Sequence, residues 1–199
     1  MSIHLVLIRH GESAGNAGLR TSDHRKIPRT ELGMAQAEVL SKAWAETPDI
    51  IYLSPFQRAQ ETAQPTIHRF PSTQVRTSDD LQEFTYLSPA TCVNTTKEER
   101  RPRVDAYWTK LDPSYVDGAD AESFAELADR THHFLQEIRS LPDASTVFAF
   151  SHMMCITCIR TWLDHPDADL KERMRMFRTY PFIQNTERLD FQLGRKIKD

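Results

Sequence analysis

Ile3-His4-Leu5-Val6-Leu7-Ile8-Arg9-His10-Gly11-Glu12 organises the reading of everything after it. Residues 3–8 are mostly aliphatic and rich in β-branching, the composition of a strand buried on both faces. The run stops at an arginine and a histidine, and the glycine that follows permits a sharp turn. An apolar run this short serves neither as a signal-peptide core nor as a membrane span, and nothing downstream approaches either.

Strand and helix patterns alternate from there. Thr30 is placed to cap a helix over Glu31–Ala45, with Leu32, Ala35, Val39, Leu40, Ala43 and Trp44 on its buried face. Asp49–Leu53 reads as a second strand. Ser54 and Pro55 then offer an N-cap and a first-position proline to a helix running through Arg58 and Thr62. Gln74–Thr77 is a weaker third strand. Prolines 89, 102 and 113 divide Asp79–Gly118 into loops and a short helix over Val104–Leu111. Ser123-Phe124-Ala125-Glu126 has capping-box spacing and opens an amphipathic helix that buries Phe124, Leu127, Thr131, Phe134, Leu135 and Ile138. Thr146–Phe150 is a central strand, followed by Ser151-His152 and a helix to about Leu163. Leu189, Phe191 and Leu193 alternate with Arg188, Asp190 and Gln192 as in a half-exposed edge strand.

Such alternation implies an α/β fold with a mostly parallel sheet, whose functional edge lies beyond the carboxyl ends of the strands. The expected strand ends carry Arg9-His10, then Ser54-Pro55 with Arg58, then Leu81-Gln82-Glu83, then Ser151-His152. Singly, each has an ordinary explanation. Arg-His-Gly occurs by chance, Arg58 could be a surface cation, Glu83 a solvated loop acid and His152 a satisfied histidine. Together on one edge they describe a site for a compact anion, since arginine makes bidentate, charge-assisted bonds to phosphate and helix N-termini add N–H donors. Asn16 adds an amide at the helix end expected after the first strand. Neighbouring cations keep His10 neutral and nucleophilic. Phosphoryl transfer then needs mainly positioning and charge neutralisation. Glu83, its pKa raised beside a bound phosphate dianion, is the candidate proton donor.

The 199 residues, 39% hydrophobic and 27% charged, suit one soluble globular domain over residues 1–199. A net charge of −3 and a pI near 6.2 offer no basic field for nucleic acid or an anionic membrane. Three cysteines point to a reducing compartment, so a cytoplasmic protein is expected. Cys155 and Cys158 fall in an apolar helix with Ile156, Ile159, Trp162 and Leu163, and read as packing residues rather than zinc ligands or a redox pair. Two basic groups, Arg20/Arg25/Lys26/Arg29 and Arg100/Arg101/Arg103, fit either solvated loops or contacts to a second anionic group on a substrate.

Leu7-Ile8-Arg9-His10-Gly11-Glu12-Ser13 with Asn16 resembles the signature of the histidine phosphatase superfamily, also called phosphoglycerate mutase-like. In chain order, Thr30-Glu31-Leu32-Gly33 with Gln36-Ala37, Ser54-Pro55 with Arg58-Ala59 and Thr62-Ala63, Leu81-Gln82-Glu83, and Ser151-His152 extend the resemblance over nearly the whole chain. It implies a three-layer α/β/α sandwich with a variable cap insertion at about 84–118. It also implies that His10 is phosphorylated in turnover, that Arg9, Arg58 and His152 hold the phosphate with help from Asn16, and that Glu83 donates the proton. No metal and no organic cofactor is implied. The expected partner is a small phosphorylated substrate, with a phosphoprotein as the other class. Mutases of this family are longer and carry a lid insertion, so the compact length favours a phosphatase. A non-catalytic phosphate-binding adaptor is disfavoured because no catalytic position is lost. The chain departs from the family at Met153-Met154, where glycine usually follows the second histidine. It departs again at Phe84-Thr85-Tyr86-Leu87, where the mutase branch has glycine and tryptophan. His24–Arg29 lacks the Asp or Asn usual before the Leu32-Gly33 segment. No oligomeric state follows from the sequence.

Overall fold

The apolar run at residues 3–8 becomes an interior strand because both of its faces find a layer of helices. The computed structural model describes residues 2–194; Met1 and residues 195–199, the two ends of the expected 1–199 domain, lie outside the described residues. The elements run β1 (Ser2–Arg9), α1 (Glu31–Lys42), β2 (Ile50–Leu53), α2 (Gln57–Arg69), β3 (Gln74–Thr77), α3 (Lys97–Lys110), α4 (Phe124–Arg139), β4 (Thr146–Ser151), α5 (Met153–Asp164), α6 (Leu170–Phe177) and β5 (Arg188–Gly194). The five-stranded sheet has the order β3-β2-β4-β1-β5. All neighbours are parallel except β5, which pairs antiparallel with β1 as an edge.

Alternation along the strands divides the core. Leu5 and Leu7 of β1, with Val147 and Ala149 of β4, meet Phe134, Leu135, Ile156 and Ile159 of α4 and α5. Val6 and Ile8, with Phe148 and Phe150, meet Leu40, Trp44 and Ala63 on the opposite face. The result is the expected α/β/α sandwich. A separate aromatic cluster of Phe84, Tyr107, Trp108, Phe124 and Phe177 joins α3 and α6 to α4.

The Ser123/Glu126 capping box forms as expected, and α4 buries the six residues named from its periodicity together with Ala128. Several local features differ from expectation. Helix α1 ends at Lys42 rather than Ala45; Leu40 and, beyond the helix, Trp44 are buried, but Leu32 is 54% and Val39 69% exposed, and the face turned inward is Gly33, Ala37, Leu40 and Ser41. Small residues lie there because the helix start presses against the loop after β1. Helix α2 begins at Gln57 with Phe56 as an N-cap that makes no side-chain bond; Ser54 Oγ instead pairs with His152 Nε2 at 2.8 Å. Helix α3 starts at Lys97 rather than Val104, from a Thr96/Glu99 capping box, and carries Pro102 within it. Helix α6, capped by Asp169 Oδ1 accepting from the Glu172 N–H at 2.8 Å, has no counterpart in the sequence reading.

No helix follows β1 directly. A loop runs from His10 to Thr30 and is clamped to α1 and α2. Gly11 N donates to Thr62 Oγ1 at 3.0 Å, and Glu12 N donates to Gln36 Oε1 at 2.8 Å. The backbones of Gly11, Glu12 and Gly33 touch so closely that a Cβ on Gly33 would lie 2.0 Å from Glu12 O, and one on Gly11 2.6 Å from Gly33 O. Gly33→Ala is therefore expected to destabilise the fold by about 3 kcal/mol or more in urea unfolding. Gly15→Ala, whose Cβ would meet nothing nearer than 3.6 Å, should change stability by less than about 1 kcal/mol. Equal effects at the two positions would contradict the close-approach account.

Candidate active site

The parallel ladder between β1 and β4 builds the centre of the site. Arg9 is in register with Ser151, so the next residues, His10 and His152, leave the sheet side by side with ring centroids 5.1 Å apart. Ser54, one residue beyond β2, holds the second histidine.

His10 is 3% exposed. Its Nδ1 lies 2.7 Å from Gly11 O, and a carbonyl can only accept, so the proton resides on Nδ1. The lone pair on Nε2 accepts from Arg58 Nε at 3.1 Å. Both bonds describe one neutral tautomer. Burial first, then the Arg58 charge, hold the His10 pKa well below its ordinary 6.5, with Arg9 adding and the Gly11 carbonyl opposing. The sequence reading credited cations alone; burial outweighs them.

Arg58 also donates from Nη1 to His24 O at 2.8 Å and lies over the Phe56 ring at 5.1 Å. Burial brings its guanidinium down to about 10, which leaves it charged at neutral pH. Arg9 donates to Ile183 O at 2.5 Å and sits over Phe182 at 4.8 Å. Neither arginine forms a salt bridge among the described residues. Arg9 Nε and His152 Nδ1 are buried without a hydrogen-bond partner among those residues. His152, fully enclosed, is likewise kept neutral, by burial first and then by Arg58.

Glu83 reaches the site from the segment after β3. Ser151 Oγ ties Leu81 O to the end of β4 at 2.7 Å, and the half-buried Arg130–Glu122 pair braces the same segment through Asp80 O and Thr85 N. Glu83 Oε1 accepts from Phe84 N at 2.9 Å and from Cys155 N, in the first turn of α5, at 3.2 Å. Those N–H groups and the two arginines favour the carboxylate, yet burial outweighs them and the pKa is raised. Burial therefore raises this pKa in addition to the rise expected beside a bound phosphate dianion.

Asn16 lies in a turn rather than at a helix end. Its Oδ1 accepts from Ser13 N at 3.2 Å and from Asn185 Nδ2 at 3.2 Å, while Asn185 Nδ2 also donates to His10 O at 2.8 Å. Backbone donors and acceptors at both ends fix the two amides, leaving Asn16 Nδ2 free to donate. Asn185 and Phe182, both lining the pocket, were missed by the sequence reading, in which they stand before an edge strand like ordinary turn residues.

Five of the six expected residues, His10, Arg9, Asn16, Arg58 and Glu83, line a pocket of about 740 Å³; His152 is fully buried against His10 and does not line it. Met153, at the position where glycine is usual, and Met154 line it too. Arg20, Arg25, Lys26 and Arg29 do not; Arg20 pairs with Glu99 and Arg29 with Glu61. Cys155 and Cys158 are buried packing residues with raised thiol pKa values. Among the described residues no group of three or more His, Cys, Asp or Glu side chains is placed to hold a metal ion. No helix among them is long and apolar enough to cross a membrane.

The depressed histidine pKa values set a sign. Between the folded-state values and 6.5 the unfolded chain binds protons that buried His10 and His152 refuse, so these two groups make stability fall as pH drops below about 6.5. Glu83, its pKa raised, contributes in the opposite sense, its share being lost as pH rises through its folded value. In imidazole ¹⁵N NMR, His10 is expected to stay neutral as pH falls through 6.5. Arg58→Met should raise its titration point without restoring the ordinary value, because burial remains. A wild-type His10 titrating at 6.5 would overturn this account.

The family model of the histidine phosphatase superfamily (branch 1) matches residues 5–181. A probable phosphoglycerate mutase of Yersinia pestis is 28% identical over 179 residues, 87% of this chain and 80% of that protein. Among solved structures, a mycobacterial glucosyl-3-phosphoglycerate phosphatase superposes with a TM-score of 0.75 at 19% identity, covering 96% of this chain and 91% of that one. A phosphoserine phosphatase of Entamoeba histolytica, solved as a mutant with phosphoserine, gives 0.74 at 23% identity over 95% and 90%. At such identities the structural likeness speaks for the fold alone. With a family model spanning both histidines, both arginines and Glu83, this chain belongs to the histidine phosphatase superfamily, branch 1.

Proposed function

We propose that this protein is a metal-independent phosphomonoesterase that works through a phosphohistidine on His10. The observation that carries the reading is the neutral His10, its proton held on Nδ1 by Gly11 O and its Nε2 lone pair turned to Arg58. His10 Nε2 attacks phosphorus, the P–O bond to the leaving group breaks, and Glu83 delivers its proton to the departing oxygen. Water then attacks the phosphohistidine, gives a proton back to Glu83, and releases inorganic phosphate with Nε2 restored. The charges of Arg9 and Arg58 neutralise the transferring group, and the uncharged His152 and Asn16 help orient it. The α5 N–H on Glu83 supports its carboxylate in the second half-reaction, and burial supports the acid in the first.

A mutase would have to shield the phosphohistidine from water and return it to a product. Here Lys97, Arg101 and Phe182 on the pocket rim are exposed, so water reaches the site, which favours hydrolysis. The structurally similar proteins include phosphatases; the relative described as a probable mutase supports the shared phosphoryl chemistry.

Hydrolysis of an aryl phosphate is expected to survive excess chelator and to be abolished by His10→Ala. Acid-quenched enzyme should carry an acid-labile, base-stable phosphoryl group. Glu83→Gln should slow turnover by roughly 10²–10⁴-fold for alkyl esters, and less for esters with acidic phenol leaving groups. Activity lost to chelator or retained without His10 contradicts the proposal. Interconversion of phosphoglycerates without net phosphate release would move the assignment to a mutase.

A further inference from the structure

We infer that the outward face of α1 is the seam of a homodimer, in which α1 of one protomer lies antiparallel to α1 of its partner about a twofold axis near Ala35. The sequence writes an apolar stripe into this helix that the fold does not use. Leu32, Ala35, Val39 and Ala43 recur at i, i+3, i+7 and i+11, the spacing of a buried helix face. In the structure all four are exposed, Leu32 at 54% and Val39 at 69%. Single exposed aliphatics are ordinary on a protein surface. A row of them at helical spacing, with no charge interrupting it, marks a surface that meets another one.

The helix cannot roll to hide this stripe within its own chain. Its start is pinned to the loop after β1 by Gln36 Oε1, which accepts from Glu12 N at 2.8 Å, and by the backbone contact of Gly33 with Glu12. Its end is held by α2, where Arg69 donates to Ser41 O and Thr66 Oγ1 accepts from Trp44 Nε1 at 2.9 Å. At 3.6 residues per turn Leu32 and Val39 stand opposite Ser41 on the helix. The stripe therefore points away from α2, and turning it inward would break the contacts that place the catalytic loop.

The occupant that fits is a second copy of this chain, because the stripe complements itself. A twofold axis sets residue i against j and j against i. With the two helices antiparallel, Leu32 meets the partner's Val39 and Val39 meets the partner's Leu32, while the small Ala35 at the axis lets the helices approach closely. Charge fixes the direction. Glu31 stands in the first turn and Lys42 in the last, and at 3.6 residues per turn both lie on one flank of the stripe. Antiparallel pairing brings Glu31 beside the partner's Lys42 at each end of the seam, whereas parallel pairing would set like charges together. Neither residue forms an ion pair with another described residue of its own chain. A seam made of one 12-residue helix is about 18 Å long, at the small end of specific interfaces, so the association is weak and depends on concentration.

Sedimentation equilibrium of the full chain from about 1 to about 500 µM tests this. Wild type is expected to dimerise reversibly with a Kd of roughly 10–100 µM. Val39→Glu, at a site exposed in the protomer, should weaken association at least tenfold while leaving the circular dichroism of the dilute protein unchanged. Glu31→Lys and Lys42→Glu should each weaken it severalfold, and the two together should restore it, since reversing both charges recreates the pairs. In a Cys92→Ser background, Ala35→Cys should oxidise to a disulfide-linked dimer. Val75→Cys, on the exposed edge strand β3, should not. A monomer across the whole range, a dimer indifferent to Val39→Glu, or cross-linking at residue 75 instead of 35 overturns the seam. A double charge reversal that fails to restore association overturns the antiparallel pairing.

Discussion

The parallel ladder between β1 and β4 ends with Arg9 opposite Ser151, and the site is built outward from that pairing. Hydrogen bonds in a parallel ladder set register residue by residue, so the first residues beyond it, His10 and His152, emerge as neighbours. A slip of one residue would send both imidazoles to the wrong face. The loop after β1 can turn away at once only because Gly11 and Gly33 allow backbones to touch. That contact also rolls α1 onto its small residues, which is why Leu32 and Val39 face water.

Two arginines and two histidines enclosed together would repel one another if all were charged. The structure avoids this by keeping both histidines neutral through burial and by satisfying the arginines with carbonyls, Ile183 O and His24 O, rather than carboxylates. Carbonyl acceptors hold a guanidinium in place without cancelling its charge, so the field remains available to a bound anion. Glu83 sits under opposed influences, with N–H donors and arginines against burial. Such a balance suits the proton donor and acceptor proposed for this position.

Much of this was legible in the residues themselves. The strand and helix alternation, the α4 capping box and the four strand ends that carry the candidate residues follow from local patterns, and the six anticipated residues are brought together. The α3 start was missed because three prolines obscured a Thr96/Glu99 capping box. Ser54 looked like a helix cap and is a partner of His152. Asn185 and Phe182 have no local signal; they reach the pocket only because Thr186 N bonds to Arg9 O and Arg9 N to Glu187 O, which folds the approach to β5 against the catalytic loop.

What the sequence by itself determined is which side chains stand at or just beyond the carboxyl ends of the strands, since periodicity and capping act over a few neighbouring residues. What only the tertiary structure decided is their state: His10 neutral with its proton on Nδ1, Glu83 raised by enclosure, Asn16 turned by Asn185, and α1 rolled so that Leu32 and Val39 face outward. Protonation, amide orientation and helix roll depend on burial and on contacts between residues far apart in the chain. No local pattern encodes those until the chain has folded.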